Sequence, residues 1–155
     1  MRKIGKGIRL KKYFEGNWCF KRRIFDYNDE RPYGVANGIA YFTPVDNKRL
    51  IYKEEGKLSL TASGQEFPFF RSFIYAFDGD QLDVFFNDGS NSGQLYQSYS
   101  LDITNSILTS SVQHSCKDDC YNGIYSIISS TEYKLDTSIK GPKKEFKIET
   151  NAKKV

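Results

Sequence analysis

Alternation with a period of two residues runs through most of this chain, and it limits the fold more than any other feature. Only an extended strand puts every second side chain on one face. Trp18, Phe20, Arg22 and Ile24 share one phase, just after a short helix predicted over residues 8–14. Gly38, Ala40 and Phe42 share a second phase, ended by Pro44 and the turn Asp46-Asn47-Lys48. Leu50, Tyr52 and Glu54 alternate in a third strand that continues through Gly56 to Leu58 and Leu60. The turn Ala62-Ser63-Gly64 then leads into Phe69, Arg71, Phe73, Tyr75 and Phe77. Asp78-Gly79-Asp80 is a tight hairpin signal, followed by a return strand with Leu82, Val84 and Phe86 and a second turn at Asn87-Asp88-Gly89. Further strands are expected over 94–103, 107–115, 121–128, 133–139 and 144–150, the last two separated by Gly141-Pro142. Nine or ten short strands with turn signals at this spacing specify an all-β, antiparallel barrel or sandwich.

A chain of 155 residues holds one ordinary domain and is short for two. We therefore expect a single domain over 1–155, with the barrel at about 8–150 and basic, flexible ends at 1–7 and 151–155. The 12 Phe and 11 Tyr are spread along nearly all of it, enough for a continuous core. Arg2, Lys3, Lys6 and Arg9 are followed by no apolar run of the signal-peptide kind, and no stretch is long enough to span a bilayer. Cys19, Cys116 and Cys120 are an odd number and read as free thiols, so the expected location is cytoplasmic, with no membrane partner. The net charge of +4 is concentrated at the two ends, the segment 2–23 holding nine Lys or Arg against one Glu. Weak basicity so placed is read as solvated termini rather than a nucleic-acid footprint.

The charges inside the alternating pattern matter more than the net charge. Arg22 is in phase with Trp18, Phe20 and Ile24; Glu54 with Leu50 and Tyr52; Arg71 with Phe69, Phe73 and Tyr75. If the apolar phase points inward, two arginines and a glutamate do as well, and an unpaired buried charge is expensive. One resolution is a satisfied internal ion network, or an inverted strand whose charges are solvated. The other is a partly wet cavity in which the arginines hold an anionic ligand, since a guanidinium meets a carboxylate or phosphate at two points. Small barrels enclose one such ligand.

Two resemblances follow from these residues. Gly16-Asn17-Trp18, after a short helix and at the start of the first strand, resembles the G-x-W opening of the calycins, the superfamily of lipocalins and fatty-acid-binding proteins. A longer set resembles the family catalogued as domain of unknown function 6314. It runs Gly16-x-Trp18-x-Phe20-x-Arg22-x-Ile24-x-Asp26, Gly38-x-Ala40-x-Phe42-x-Pro44 and Leu50-x-Tyr52-x-Glu54-x-Gly56-x-Leu58. It continues with Arg71 among aromatics, Phe86-Asn87-Asp88-Gly89, His114-x-Cys116-x-x-Asp119-x-Tyr121-x-Gly123-x-Tyr125 and Gly141-Pro142-Lys143-Lys144-Glu145. One segment departs: where that family tends to an arginine and a Phe-His pair after Asp-Gly, this chain has Ser90, Ser92 and Gly93. The resemblance implies a single antiparallel calycin-like β-barrel with a short N-terminal helix, and a residue set rather than an activity.

The one cluster with reactive side chains is His114, Cys116, Asp119 and Cys120. As H-x-C-x3-C it offers three soft ligands where a structural zinc site takes four, so no metal is expected. In an extended strand His114 and Cys116 share a face and form a candidate nucleophile and base. The plainer role is structural, with His114 and Asp119 hydrogen-bonding across a barrel end to position Tyr121. Gly141-Pro142-Lys143-Lys144 lacks the glycine spacing of a phosphate loop and reads as a basic turn. Paired carboxylates at glycosidase-like positions and a G-x-S-x-G elbow are both missing from the sequence.

The sequence thus leads to a binding barrel for a small anionic or amphipathic molecule, with Arg22, Tyr52, Glu54, Arg71, Tyr75, Asp88, His114, Tyr121 and Lys144 as candidate contacts. The alternative is a small-metabolite enzyme using His114 with Asp119 or Cys116. A third reading is a nucleic-acid or protein interaction module using the basic ends and exposed tyrosines. The sequence leaves open the ligand, any cofactor, any turnover and the oligomeric state.

Overall fold

A computed structural model describes residues 7–27, 31–110, 120–142 and 145–155, with side chains of the N-terminal helix from Leu10 onward. The chain begins with α1 (Gly7–Phe14) and continues into ten strands: β1 (Gly16–Asp26), β2 (Pro32–Pro44), β3 (Arg49–Leu60), β4 (Glu66–Asp78), β5 (Gln81–Phe86), β6 (Leu95–Asp102), β7 (Ile107–Ser110), β8 (Cys120–Ser129), β9 (Glu132–Lys140) and β10 (Glu145–Lys154). Each strand pairs antiparallel with its sequence neighbours, and β1 also pairs with β10, which closes the barrel. Closure removes the free edges that an open sheet of this length would present. Among the described residues no helix is long and apolar enough to cross a membrane.

The alternation converts directly into an inside and an outside. Cross-strand partners such as Leu50 and Tyr75, Tyr75 and Val84, and Tyr133 and Ala152 all fall in the buried phase. The end at residues 151–154 is a correction to the expected boundary. These residues are not a flexible tail but the last part of β10, with Ala152 paired to Phe20 and fully buried. Hydrogen bonding to β1 holds a stretch whose polar composition looked like a solvated end.

α1 plugs one end of the barrel. Leu10 and Phe14, four residues apart and therefore on one helix face, are completely buried. The Phe14 ring packs against Phe42, Tyr125 and Tyr133 at 5.3, 5.4 and 5.6 Å. Its carbonyl, at the helix C-terminus, accepts a hydrogen bond from the Trp18 indole nitrogen at 2.9 Å. The Tyr13 hydroxyl donates to the Ser129 and Glu132 carbonyls at the β8–β9 turn, so the plug is tied to the wall on a second side.

One glycine pair shapes the wall. Gly38 and Gly56 face each other across β2 and β3, and a Cβ on Gly38 would lie 2.2 Å from the Glu55 carbonyl oxygen and 2.8 Å from the Phe20 ring. Bare backbone here lets the two strands bend closely while Phe20 lies over them.

Candidate functional site

The end opposite α1 opens into a cavity of about 310 Å³ bordered by residues of β1, β3, β4, β5, β6, β8, β9 and β10. Its deep part is aromatic. The Tyr75 and Tyr125 hydroxyls hydrogen-bond to each other at 2.6 Å, and Tyr52 stacks on Tyr75 at 5.4 Å. Beneath them Phe14 contacts Tyr75 and Tyr125, so the plug is also the cavity floor. Burial raises the Tyr52, Tyr75, Tyr99 and Tyr125 hydroxyls well above the ordinary tyrosine value, so all four stay protonated.

On one side the wall is charged. Arg22 and Glu54 meet in a two-point ion pair, with nitrogen to oxygen distances of 2.7 and 3.0 Å. They sit on β1 and β3, which do not touch; β2 lies between them. The pair can form because the inward positions of β2 alongside are Ala36, Gly38 and Ala40, with Ala36 opposite Arg22 and Ala40 opposite Glu54. Small side chains on the middle strand leave room for two long ones to reach over it. Arg22 also donates through Nε to the Thr150 hydroxyl at 3.0 Å, and Tyr52 donates a short hydrogen bond to Glu54.

Every polar branch of the pair is therefore engaged, as a buried ion pair requires. Burial by itself would raise the Glu54 carboxyl, but the hydrogen bonds and charge of Arg22 outweigh it and hold the group below its ordinary value. Burial likewise works against the Arg22 charge, and the same carboxylate reverses that effect.

Arg71 differs. It is opposite Glu54 in the β3–β4 register but stands at the mouth, with 47% of its side chain exposed. Only Nε is engaged, in a long 3.3 Å contact with Asp88, and the guanidinium lies over the Phe73 ring at 5.0 Å. Among the described residues its two terminal nitrogens make no hydrogen bond. Asp88 does not line the cavity. Its carboxylate accepts from the Ser72 backbone at 2.8 Å and so pins the β5–β6 turn beside Arg71.

Of the residues expected from the sequence, Arg22, Tyr52, Glu54, Arg71, Tyr75 and Tyr121 line one cavity. His114, Cys116, Asp119 and Lys144 lie outside the described residues. Cys19 is exposed and Cys120 half-buried, both as free thiols. Among the described residues no group of three or more His, Cys, Asp or Glu side chains could hold a metal ion.

Tyr96, Tyr99, Tyr125, Tyr133, Thr137 and Thr150 line the cavity as well and were not expected there. Tyr125 and Tyr133 lie in the inward phase of strands already read, so pairing alone would have found them. Tyr96 and Tyr99 are three residues apart, which strict alternation forbids for one face. A register irregularity where β5 meets β6, opposite Val84 and Phe85, brings both inside.

The family described as Family of unknown function (DUF6314) matches residues 14–154. No curated protein matches the chain. Among solved structures, the S-type phycobiliprotein lyase CPES of Guillardia theta aligns with a TM-score of 0.63 at 7% identity, covering 94% of this chain and 90% of its own. Rv2717c of M. tuberculosis aligns at 0.54 and 9% identity, covering 96% and 97% of the two chains. The protein EF1p2_mFAP2b bound to DFHBI aligns at 0.52 and 12% identity, covering 96% and 99%. At these identities the likeness is one of fold, a closed antiparallel β-barrel.

Proposed function

The chain belongs to the DUF6314 family, and we propose that it is a binding barrel for a small molecule with an anionic end, which enters at the mouth and meets Arg71. The observation that carries this reading is the contrast between the two arginines. Arg22 spends its charge on Glu54, whereas among the described residues Arg71 keeps two terminal nitrogens free at the rim of a cavity whose deeper walls are aromatic. Among the described residues the charged side chains lining the cavity are Arg22, Glu54 and Arg71, an excess of one positive charge that favours an anion. A volume of about 310 Å³ falls at the small end of the range for such sites. That a barrel of similar fold, EF1p2_mFAP2b, holds DFHBI supports the same reading.

The test is native mass spectrometry of freshly purified protein, followed by titration with the anionic dye 8-anilinonaphthalene-1-sulfonate. We expect a retained adduct or saturable one-to-one dye binding, weakened about tenfold or more in Arg71→Ala, since a charge-assisted hydrogen bond is worth about 1.5–3 kcal/mol. Equal dye affinity in the folded variant would remove Arg71 from the site.

A further inference from the structure

Resting on that binding reading, we infer that the ligand is a planar aromatic anion of one or two fused rings, held flat between opposite walls of the barrel, rather than an alkyl-chain acid or an extended multi-ring pigment. In the closed ring of ten strands β1 stands opposite β6 and β3 opposite β8. The Arg22 and Glu54 pair on β1 and β3 therefore faces Tyr96 and Tyr121 on β6 and β8 across the cavity. Tyr96 packs against Phe86, Phe73 and Tyr121 at 5.1, 5.2 and 5.7 Å, so this wall is a continuous aromatic surface. A flat π-system gains from stacking on such a surface; a flexible chain gains area alone and loses rotamer freedom on binding.

The direction of the ligand follows from charge. The Arg22 and Glu54 pair is neutral overall and its guanidinium donors are already engaged, so the acidic group belongs at Arg71 and the ring points inward. There, among the described residues, the hydroxyls of Tyr96, Tyr99 and Tyr133 have no hydrogen-bond partner, and none of the three oxygens is a sealed, unsatisfied atom. Burial pushes the Tyr96 hydroxyl up to about 12, so near neutral pH it remains a donor for an acceptor on the ring edge.

Length is limited from below. The hydrogen-bonded Tyr75 and Tyr125 pair over Phe14 closes the floor, which stops a chain from threading toward α1. The volume accommodates a bicyclic acid, whereas a linear tetrapyrrole would have to project out through the mouth.

The experiment is isothermal titration calorimetry of the full chain with 2-naphthoate, undecanoate (equal to it in heavy atoms), neutral 2-naphthol and biliverdin. We expect 2-naphthoate to bind about tenfold or more tightly than undecanoate, from stacking on more than one ring, and biliverdin not to bind. Tyr96→Ala should weaken 2-naphthoate and leave undecanoate unchanged, and Arg71→Ala should bring 2-naphthoate down to the level of 2-naphthol. Undecanoate binding as tightly as 2-naphthoate, or biliverdin binding most tightly, would overturn the aromatic assignment while leaving the binding reading standing. If all four fail to bind and the native mass spectrum shows no adduct, the binding reading itself falls.

Discussion

The two ends of the barrel are built from the same strands, yet one is sealed and the other open. At the sealed end the inward positions are Trp18, Phe42, Leu50 and Leu82, all buried, with α1 pushed between them and held at both Phe14 and Tyr13. At the open end the corresponding positions are Arg71, Phe73, Tyr96 and Tyr121, around space that no side chain among the described residues fills. Between the two lies the Arg22 and Glu54 pair, which belongs to the wall of one and supports the other. A barrel of this size can be filled by its own side chains, so keeping a cavity of about 310 Å³ among the described residues costs dispersion contacts and burial. The difference teaches where stability and function separate, and substitutions along the axis should follow that gradient.

The largest effect is expected at the floor. Phe14→Ala removes a fully buried ring that touches Phe42, Tyr75, Phe77, Tyr125 and Tyr133, and should cost about 3–5 kcal/mol in chemical denaturation. A cost below about 1 kcal/mol would mean that α1 is an accessory rather than part of the core.

The next effect lies in the middle layer. Glu54→Leu strands the Arg22 charge and should cost about 3 kcal/mol, while the double variant Arg22→Met with Glu54→Leu should recover most of it. The pair also gives stability a pH dependence with a definite sign. The folded Glu54 carboxyl lies below its ordinary value of 4.5, so its contribution is complete above that value and is lost as pH falls through the folded one. Acidification should therefore destabilise the native chain more than the double variant, and parallel denaturation curves for the two below pH 4.5 would contradict the pairing.

The difference between the ends also sorts what the sequence made legible. Period-two alternation fixed the strands and the inward phase because side-chain direction is local to each strand. The same phase identified Arg22, Glu54 and Arg71 as inward residues, but not which of the arginines is neutralised. Arg22 finds Glu54 across a third strand, and that contact depends on Ala36, Gly38 and Ala40 lying between them. Tyr96 escaped because a single extra residue in β6 breaks the alternation that would have revealed it. The plug escaped for another reason: an eight-residue amphipathic helix shows which face is apolar, not which end of a barrel it will close. At residues 151–154 the composition misled, since β10 is anchored by backbone pairing to β1 and by Ala152 alone among apolar side chains there.

The smallest effect should fall where function is proposed to concentrate. Arg71 is half exposed, its ion pair with Asp88 is a single long contact, and Asp88 keeps its bond to the Ser72 backbone without it. Exposed pairs of this kind contribute about 0.5 kcal/mol or less, so Arg71→Ala should leave the denaturation midpoint nearly unchanged. It would then combine the weakest stability change of the three with the strongest loss of anion binding. A destabilisation of about 2 kcal/mol would instead make Arg71 part of the wall, and the open end would be a structural device rather than a site. The measurement should be repeated at high salt. Screening removes a surface ion pair but leaves the guanidinium packed over Phe73, so any cost that persists belongs to the ring contact.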